Sequence, residues 1–79
     1  MIKLTQINKF DNCITCLAYV EDCKTPIELV YRIDRKEMCP YHLPDGYEYC
    51  TSHIGMARSY FRDKFADEGC PEERLIMWY

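Results

Sequence analysis

The sequence has little glycine and little proline, with three glycines and four prolines in 79 residues. This scarcity, together with 48% hydrophobic residues, excludes a low-complexity linker, a collagen-like repeat and a disordered tail. No apolar run approaches the roughly 18 residues that a membrane-spanning helix needs. Because independent domains usually contain about 50 to 200 residues, the length predicts one compact domain over residues 1–79.

Positive charge is also scarce. Ten Lys and Arg residues stand against thirteen Asp and Glu residues, which gives a net charge of −3. Only two short basic clusters occur, one with Arg32, Arg35 and Lys36 and one with Arg58 and Arg62. Proteins that bind nucleic acid or anionic membranes directly depend on concentrated basic residues. We therefore expect no direct nucleic-acid binding and no membrane binding.

Hydrophobic periodicity predicts strands in the first part of the sequence. In the first of them we expect Ile2, Leu4 and Gln6 to share one face, and turn signals follow at Asp11 and Pro26. Such short connections favour antiparallel neighbours, so a three-stranded meander is predicted. The alternating segments are residues 2–9, residues 14–21 and the segment that contains Ile27, Leu29, Tyr31 and Ile33.

One amphipathic helix is predicted over about residues 46–66. Asp45 and Glu48 fit a capping box at its start, and Gly69 and Pro71 are typical of the chain after a helix. Apolar residues at spacings of three and four form the buried stripe: Tyr47, Cys50, Ile54, Ala57, Phe61 and Phe65.

The segments around the helix complete the predicted fold. Residues 35–44 show no period and predict an irregular connection, whereas residues 75–79 predict a short apolar strand added to the sheet. The expected fold class is α+β, in a small two-layer domain. It consists of a three-stranded antiparallel meander, one amphipathic helix and a short C-terminal strand, in the order β-β-β-α-β.

Six cysteines are the first unusual feature. The pairs Cys13-x2-Cys16 and Cys39-x2-His42 supply three thiolates and one imidazole, which is an acceptable tetrahedral zinc set. Residues three apart on a regular strand point to opposite faces, so this set requires a bend at Cys13. Unbound thiols and disulfides remain alternatives to zinc.

The first ten residues hold no continuous apolar core of a signal peptide, so a cytoplasmic protein is expected.

Cys50 and His53 allow a second interpretation, a thiol enzyme. The two residues are one helical turn apart near the predicted helix start, where the pKa of a cysteine is often lowered. However, Cys50 belongs to the apolar stripe, and no glycine-rich turn for an oxyanion flanks it. We therefore expect a protein that is not an enzyme and that needs no cofactor, with a structural zinc ion as the alternative.

Seven tyrosines are the second unusual feature. Tyr41, Tyr47 and Tyr49 crowd the connection and the predicted helix start. Tyrosine offers a large contact area with a polar tip, so an exposed cluster suits a protein interface. The alternative is that these rings cover the open end of a small core.

Acidic residues gather late in the sequence. Residues 63–73 hold five acids and one base. Among them, Asp67, Glu68, Glu72 and Glu73 are candidates for steering a basic protein onto the surface. The alternative is a solvated helix end.

These features favour a small acidic binding or inhibitor protein that acts by protein–protein contact. The expected partner is a protein, with a basic nucleic-acid-binding protein as the candidate that the charge suggests. In size and charge, although not in any motif, the chain is similar to inhibitors that phages and mobile elements deploy against defence nucleases, anti-CRISPR proteins among them. A zinc-stabilised adaptor domain and a Cys/His thiol enzyme are the alternatives.

Overall fold

Strands and one helix account for most of the computed structural model, which describes residues 1–66, 69 and 71–76. The sheet order is β4-β3-β2-β1-β5, and all neighbouring strands are antiparallel. The predicted α+β class, with a helix after an antiparallel meander, is confirmed. The elements are β1 (Ile2–Phe10), β2 (Cys13–Val20), β3 (Ile27–Arg32), β4 (Glu37–Met38), α1 (Thr51–Tyr60), a π-helical segment (Phe61–Phe65) and β5 (Arg74–Ile76).

Strand β2 lies at the centre of the sheet and sets the position of the core. Its side chains alternate, so that every second residue is buried against the helix. Leu4 of β1 is opposite Ala18, and Leu29 of β3 is opposite Cys16. All four side chains are buried, so the apolar rows of three strands form one continuous inner face.

A β-bulge in β1 corrects one prediction. The register with β2 shifts between Thr5 and Asn8, and Gln6 adopts a φ of 51°. This extra residue shifts the alternation by one position, so Ile7, not Gln6, is buried with Leu4. The prediction that Gln6 shares the core face is therefore wrong. Burial of the Ile7 side chain instead of the Gln6 side chain removes more apolar surface from water, and this favours the register with the bulge.

The helix begins later than the sequence predicts. Its N-cap is Cys50, which makes no side-chain capping hydrogen bond, so the capping box of Asp45 and Glu48 is wrong. Gly46 adopts a φ of 85°, a left-handed conformation that cannot continue a right-handed helix. The chain before Thr51 therefore passes through turns.

The predicted apolar stripe is confirmed from Cys50 onward. Ile54, Ala57, Phe61 and Phe65 are all buried against the inner face of the sheet. The π-helical segment continues α1, and the rings of its first and last residues lie 5.7 Å apart. Ring packing therefore fastens the last turns of the helix.

The helix runs along the strands from one end of the sheet to the other. Near its start, Nε2 of His53 lies 2.6 Å from Oε1 of Glu21, in the β2–β3 turn. Near its end, Nζ of Lys9 donates to the Ala66 carbonyl at 2.6 Å, beside the β1–β2 turn. Because the β3–β4 turn lies at the same end as the β1–β2 turn in an antiparallel meander, it also lies near the helix end.

Two edge strands complete the sheet. Strand β4 was not predicted, because residues 35–44 lack any period. Strand β5 pairs with β1, which confirms the predicted C-terminal strand over Arg74–Ile76, whereas residues 77–79 lie outside the described residues. Across the residues that the structure describes, no helix has both the length and the apolar character to span a membrane.

Candidate functional site

Two of the three predicted interface tyrosines lie together. The rings of Tyr47 and Tyr49 are stacked, with centroids 6.2 Å apart and planes inclined by 26°. Tyr41 makes no ring contact with either of them within the described chain, and it lies beside Met38 and Arg58 on the β4 side of the helix. The structure therefore provides a tyrosine pair, not the predicted cluster of three.

Tyr47 is held in place from two sides. Its hydroxyl donates to Oδ1 of Asp22 at 2.8 Å, and its ring packs partly buried against the core. The hydrogen bond to Asp22 is the main reason that the pKa of Tyr47 is raised to about 12. Tyr49, stacked on this fixed ring, is 66% exposed. The pair thus presents one ordered, accessible aromatic side chain.

Acidic residues of the β2–β3 turn surround the pair. The pKa of Tyr49 is raised, first by desolvation, with smaller contributions from the negative charges of Glu21 and Asp22. The Oε1 atom of Glu21 also lies 2.6 Å from Nε2 of His53, and it accepts a hydrogen bond from the amino group of Met1 at 2.8 Å. We call Tyr47, Tyr49, Glu21 and Asp22 the aromatic–acidic patch.

The predicted acidic surface lies elsewhere. Glu73 pairs with Lys3 at 3.8 Å on the β1–β5 side of the sheet, and the carbonyl of Glu72 accepts a hydrogen bond from the Ile7 backbone at 3.1 Å. Asp67 and Glu68 lie outside the described residues. The acids that act on the tyrosine pair across the fold are Glu21 and Asp22. Sequence reasoning missed both, because their only signal is a position in a turn that the fold brings to the helix start.

The four predicted zinc ligands lie in different parts of the fold. Cys16 is buried under the helix, whereas Cys13 is on the outer face of the same strand, opposite Arg32. Cys39 pairs through its backbone with β3, and His42 is exposed in the following connection. Among the described residues, no group of three or more His, Cys, Asp or Glu side chains could hold a metal ion, and no disulfide joins two cysteines.

The Cys50–His53 pair is not arranged for nucleophilic attack. Cys50 is 0% exposed, and burial raises the pKa of its thiol. A reactive cysteine needs the opposite, an accessible thiol with a lowered pKa. His53 is likewise buried, and its Nε2 atom is directed at Glu21. This geometry supports a role for both residues in packing at the helix start.

Comparison with known proteins returns no relative from which a role could be carried over. The chain matches no family model, no curated protein and no solved structure. Within the described residues, the aromatic–acidic patch brings predicted binding residues into an ordered arrangement.

Proposed function

We propose that this protein is a small binding protein that recognises a basic protein partner through the aromatic–acidic patch. One observation carries the proposal: an exposed Tyr49 is stacked on Tyr47, whose hydroxyl is fixed by Asp22. Binding, and not catalysis, is proposed because the candidate pair for a thiol enzyme, Cys50 and His53, is buried.

Pre-organisation makes the tyrosine pair a suitable anchor. Association costs roughly 0.5–1.5 kcal/mol for each side chain that has to be immobilised. Tyr47 is already ordered by its hydrogen bond, and Tyr49 is stacked on it. A partner that covers Tyr49 therefore causes little additional loss of side-chain freedom. Aromatic anchors of this kind, surrounded by polar groups, are typical of the residues that dominate the binding energy of an interface.

The charge beside the pair indicates the chemistry of the partner. Asp22, together with Glu21, whose charge is shared with the amino group of Met1, contributes negative charge next to the exposed ring, in a chain whose net charge is −3. Such a surface attracts a positively charged one and accelerates its association. Proteins that bind nucleic acid carry concentrated Lys and Arg residues, so they are the proposed partners. Covering that basic surface would inhibit them by occlusion.

Affinity capture with matched variants tests this proposal. Immobilised wild-type protein is compared with Tyr49→Ala, which removes the anchor, and with Asp22→Asn, which removes one charge but keeps an acceptor for Tyr47. Captured proteins are quantified by mass spectrometry. We expect the wild type to capture basic proteins. Capture by Tyr49→Ala should be about tenfold lower, as for a residue that dominates the binding energy of an interface.

Asp11→Asn is the matched control. Asp11 is exposed in the β1–β2 turn, at the far end of β2, and its φ of 51° suits asparagine. This variant loses the same charge as Asp22→Asn and should capture the same proteins as the wild type. The proposal fails if capture is equal in all four proteins, or if Asp11→Asn weakens capture as much as Asp22→Asn.

A further inference from the structure

A cleft at the other end of the sheet brings the two basic clusters of the sequence together. It lies between the β3–β4 turn and the end of the helix, and its volume of about 300 Å³ is at the lower end of the range for small-molecule sites. The cleft is lined by Tyr31, Ile33, Lys36, Arg62, Asp63 and Ala66.

Tyr31 provides an unused hydrogen-bond donor in this cleft. The residue is only 1% exposed, and its ring packs against Phe61 with centroids 5.8 Å apart. Its hydroxyl makes no hydrogen bond to another described residue and reaches the accessible surface of the cleft, where it can donate to a ligand. Burial also raises the pKa of Tyr31, so the hydroxyl keeps its proton and can donate it to an acceptor.

The β3–β4 turn contributes one available cation. Arg32 pairs with Asp34 at 3.2 Å, and Arg35 approaches Glu37 at 3.9 Å. Lys36 has no carboxylate partner among the described residues, and it is the charged residue of this turn that lines the cleft. Its φ of 53° places it in a left-handed conformation, which is unfavourable for a side chain and recurs at functional sites.

The helix contributes two more cations. Arg62 pairs with Asp63 through Nε at 2.8 Å and Nη2 at 3.1 Å, which leaves Nη1 available and largely neutralises the one carboxylate that lines the cleft among the described residues. The charge of Arg58 also acts on Tyr31, and Arg58 has no carboxylate partner in the described chain. Lys36 and Arg62 thus line the cleft together with one carboxylate and one hydroxyl donor, and Arg58 adds positive charge from the neighbouring pocket beside Tyr41, although the whole chain is acidic.

We propose that this cleft binds a phosphate group. Lys36 and Arg62 neutralise the charge of the anion from opposite sides, and the Tyr31 hydroxyl donates a hydrogen bond from the floor of the cleft. Donors from three directions suit a tetrahedral anion, and guanidinium and ammonium groups form strong charge-assisted hydrogen bonds to phosphate. The phosphate is either the free ion or the phosphoryl group of a monoester.

Titration with inorganic phosphate tests the site in the full chain. Amide chemical shifts are followed by NMR in a phosphate-free buffer at constant ionic strength. We expect saturable shifts confined to residues around Tyr31, Lys36 and Arg62. Tyr31→Phe, which removes only the hydroxyl, should weaken binding about fivefold, the effect of one hydrogen bond. Lys36→Gln should weaken it about tenfold, because a charged donor is lost.

Arg35→Gln is the matched control, since it removes the same charge from the same turn at a side chain paired with Glu37. It should bind phosphate as the wild type does.

A parallel titration with O-phosphoserine distinguishes the two sources of phosphate. Tighter binding of the monoester assigns an esterified group, and tighter binding of inorganic phosphate assigns the free ion. The proposal is overturned if the shifts do not saturate, if Tyr31→Phe binds phosphate unchanged, or if Arg35→Gln weakens binding as much as Lys36→Gln. The dispersed amide spectrum of each variant reports that it is folded.

Discussion

Both ends of the helix bury apolar side chains, but they differ in the further contacts that attach them to the sheet. At the start, His53 meets the carboxylate of Glu21, and the turns before it are held by polar contacts. At the end, Phe61 packs on Tyr31 and Phe65 with ring centroids 5.8 and 5.7 Å apart. Apolar burial contributes in proportion to the area removed from water, whereas a polar contact mainly offsets its own desolvation. Stability should therefore depend more on the end of the helix than on its start.

Some of the charged groups close to the helix also differ between its two ends. Glu21 and Asp22 lie near the helix start, whereas Lys9, Lys36 and Arg62 lie near its end. This distribution is favourable, because the start of a helix carries partial positive charge and its end partial negative charge. The net charge of the whole chain, −3, gives no indication of this distribution. This distribution agrees with the ligands of opposite charge that we propose for the two ends.

The largest expected effect is the loss of ring packing at the helix end. Phe61→Ala removes a fully buried ring that touches two others, and it should destabilise the protein by about 3–5 kcal/mol. Chemical unfolding followed by circular dichroism measures the change. Because a domain of this size has little stability to lose, Phe61→Leu is a milder variant, with an expected loss smaller than that of Phe61→Ala because it leaves a smaller cavity.

Phe10→Ala is the control for this prediction. Phe10 is 56% exposed at the end of β1, so its removal should change the free energy of unfolding by no more than about 0.5 kcal/mol. A loss in Phe10→Ala equal to that in Phe61→Ala would contradict the buried packing at the helix end. A larger loss in His53→Ala than in Phe61→Ala would reverse the comparison between the two ends.

Substitution by glycine should have opposite effects at the two ends. Glu21 and Lys36 both adopt a left-handed backbone, with φ of 50° and 53°, which glycine tolerates better than other residues. Lys36→Gly should stabilise the protein by up to about 1 kcal/mol, because it relieves this strain and breaks no contact in the described chain. Glu21→Gly relieves the same strain but leaves His53 without its carboxylate, so a net loss of about 1–2 kcal/mol is expected.

Thermal unfolding of both glycine variants checks this pair of predictions. Glu21→Gln serves as the matched comparison, since it keeps the left-handed backbone and removes only the charge. Stabilisation by Glu21→Gly would mean that the contact with His53 contributes less than the backbone strain. Destabilisation by Lys36→Gly would mean that the Lys36 side chain has a stabilising role in the absence of a ligand.

Most of the fold could be predicted because its signals are local. Alternation along β2 and the stripe from Ile54 to Phe65 each follow from the period of one element. The bulge at Gln6 could not be predicted, because a single left-handed residue shifts the alternation and nothing adjacent in the sequence requires it. The helix start at Thr51 was misplaced because a capping box of suitable spacing stood before a glycine with positive φ.

The sites depend on contacts between distant parts of the sequence. Tyr47 and Tyr49 were predicted because two tyrosines close in sequence suggest an aromatic surface. Asp22 was missed, since it meets Tyr47 only after the meander has folded. The same reason applies to the cleft, where Lys36 and Arg62 come from two basic clusters that appeared isolated in the sequence. Periodicity identifies which side chains are buried, and it does not identify which turns meet.

The smallest expected effect concerns the titration of Tyr47, and it tests the polar end alone. The bond to Asp22 raises the pKa of Tyr47 from its ordinary value of 10.0 to about 12. Because the folded-state pKa is the higher one, the contribution of this bond is fully present below pH 10 and is lost as the pH rises through about 12. The phenolate absorbance of the wild type minus that of Tyr47→Phe isolates this group. Asp22→Asn should lower the pKa of Tyr47, whereas Asp11→Asn should leave it unchanged. A Tyr47 that titrates near 10 in the wild type would remove the fixed ring on which Tyr49 is stacked, and with it the pre-organised anchor of the aromatic–acidic patch.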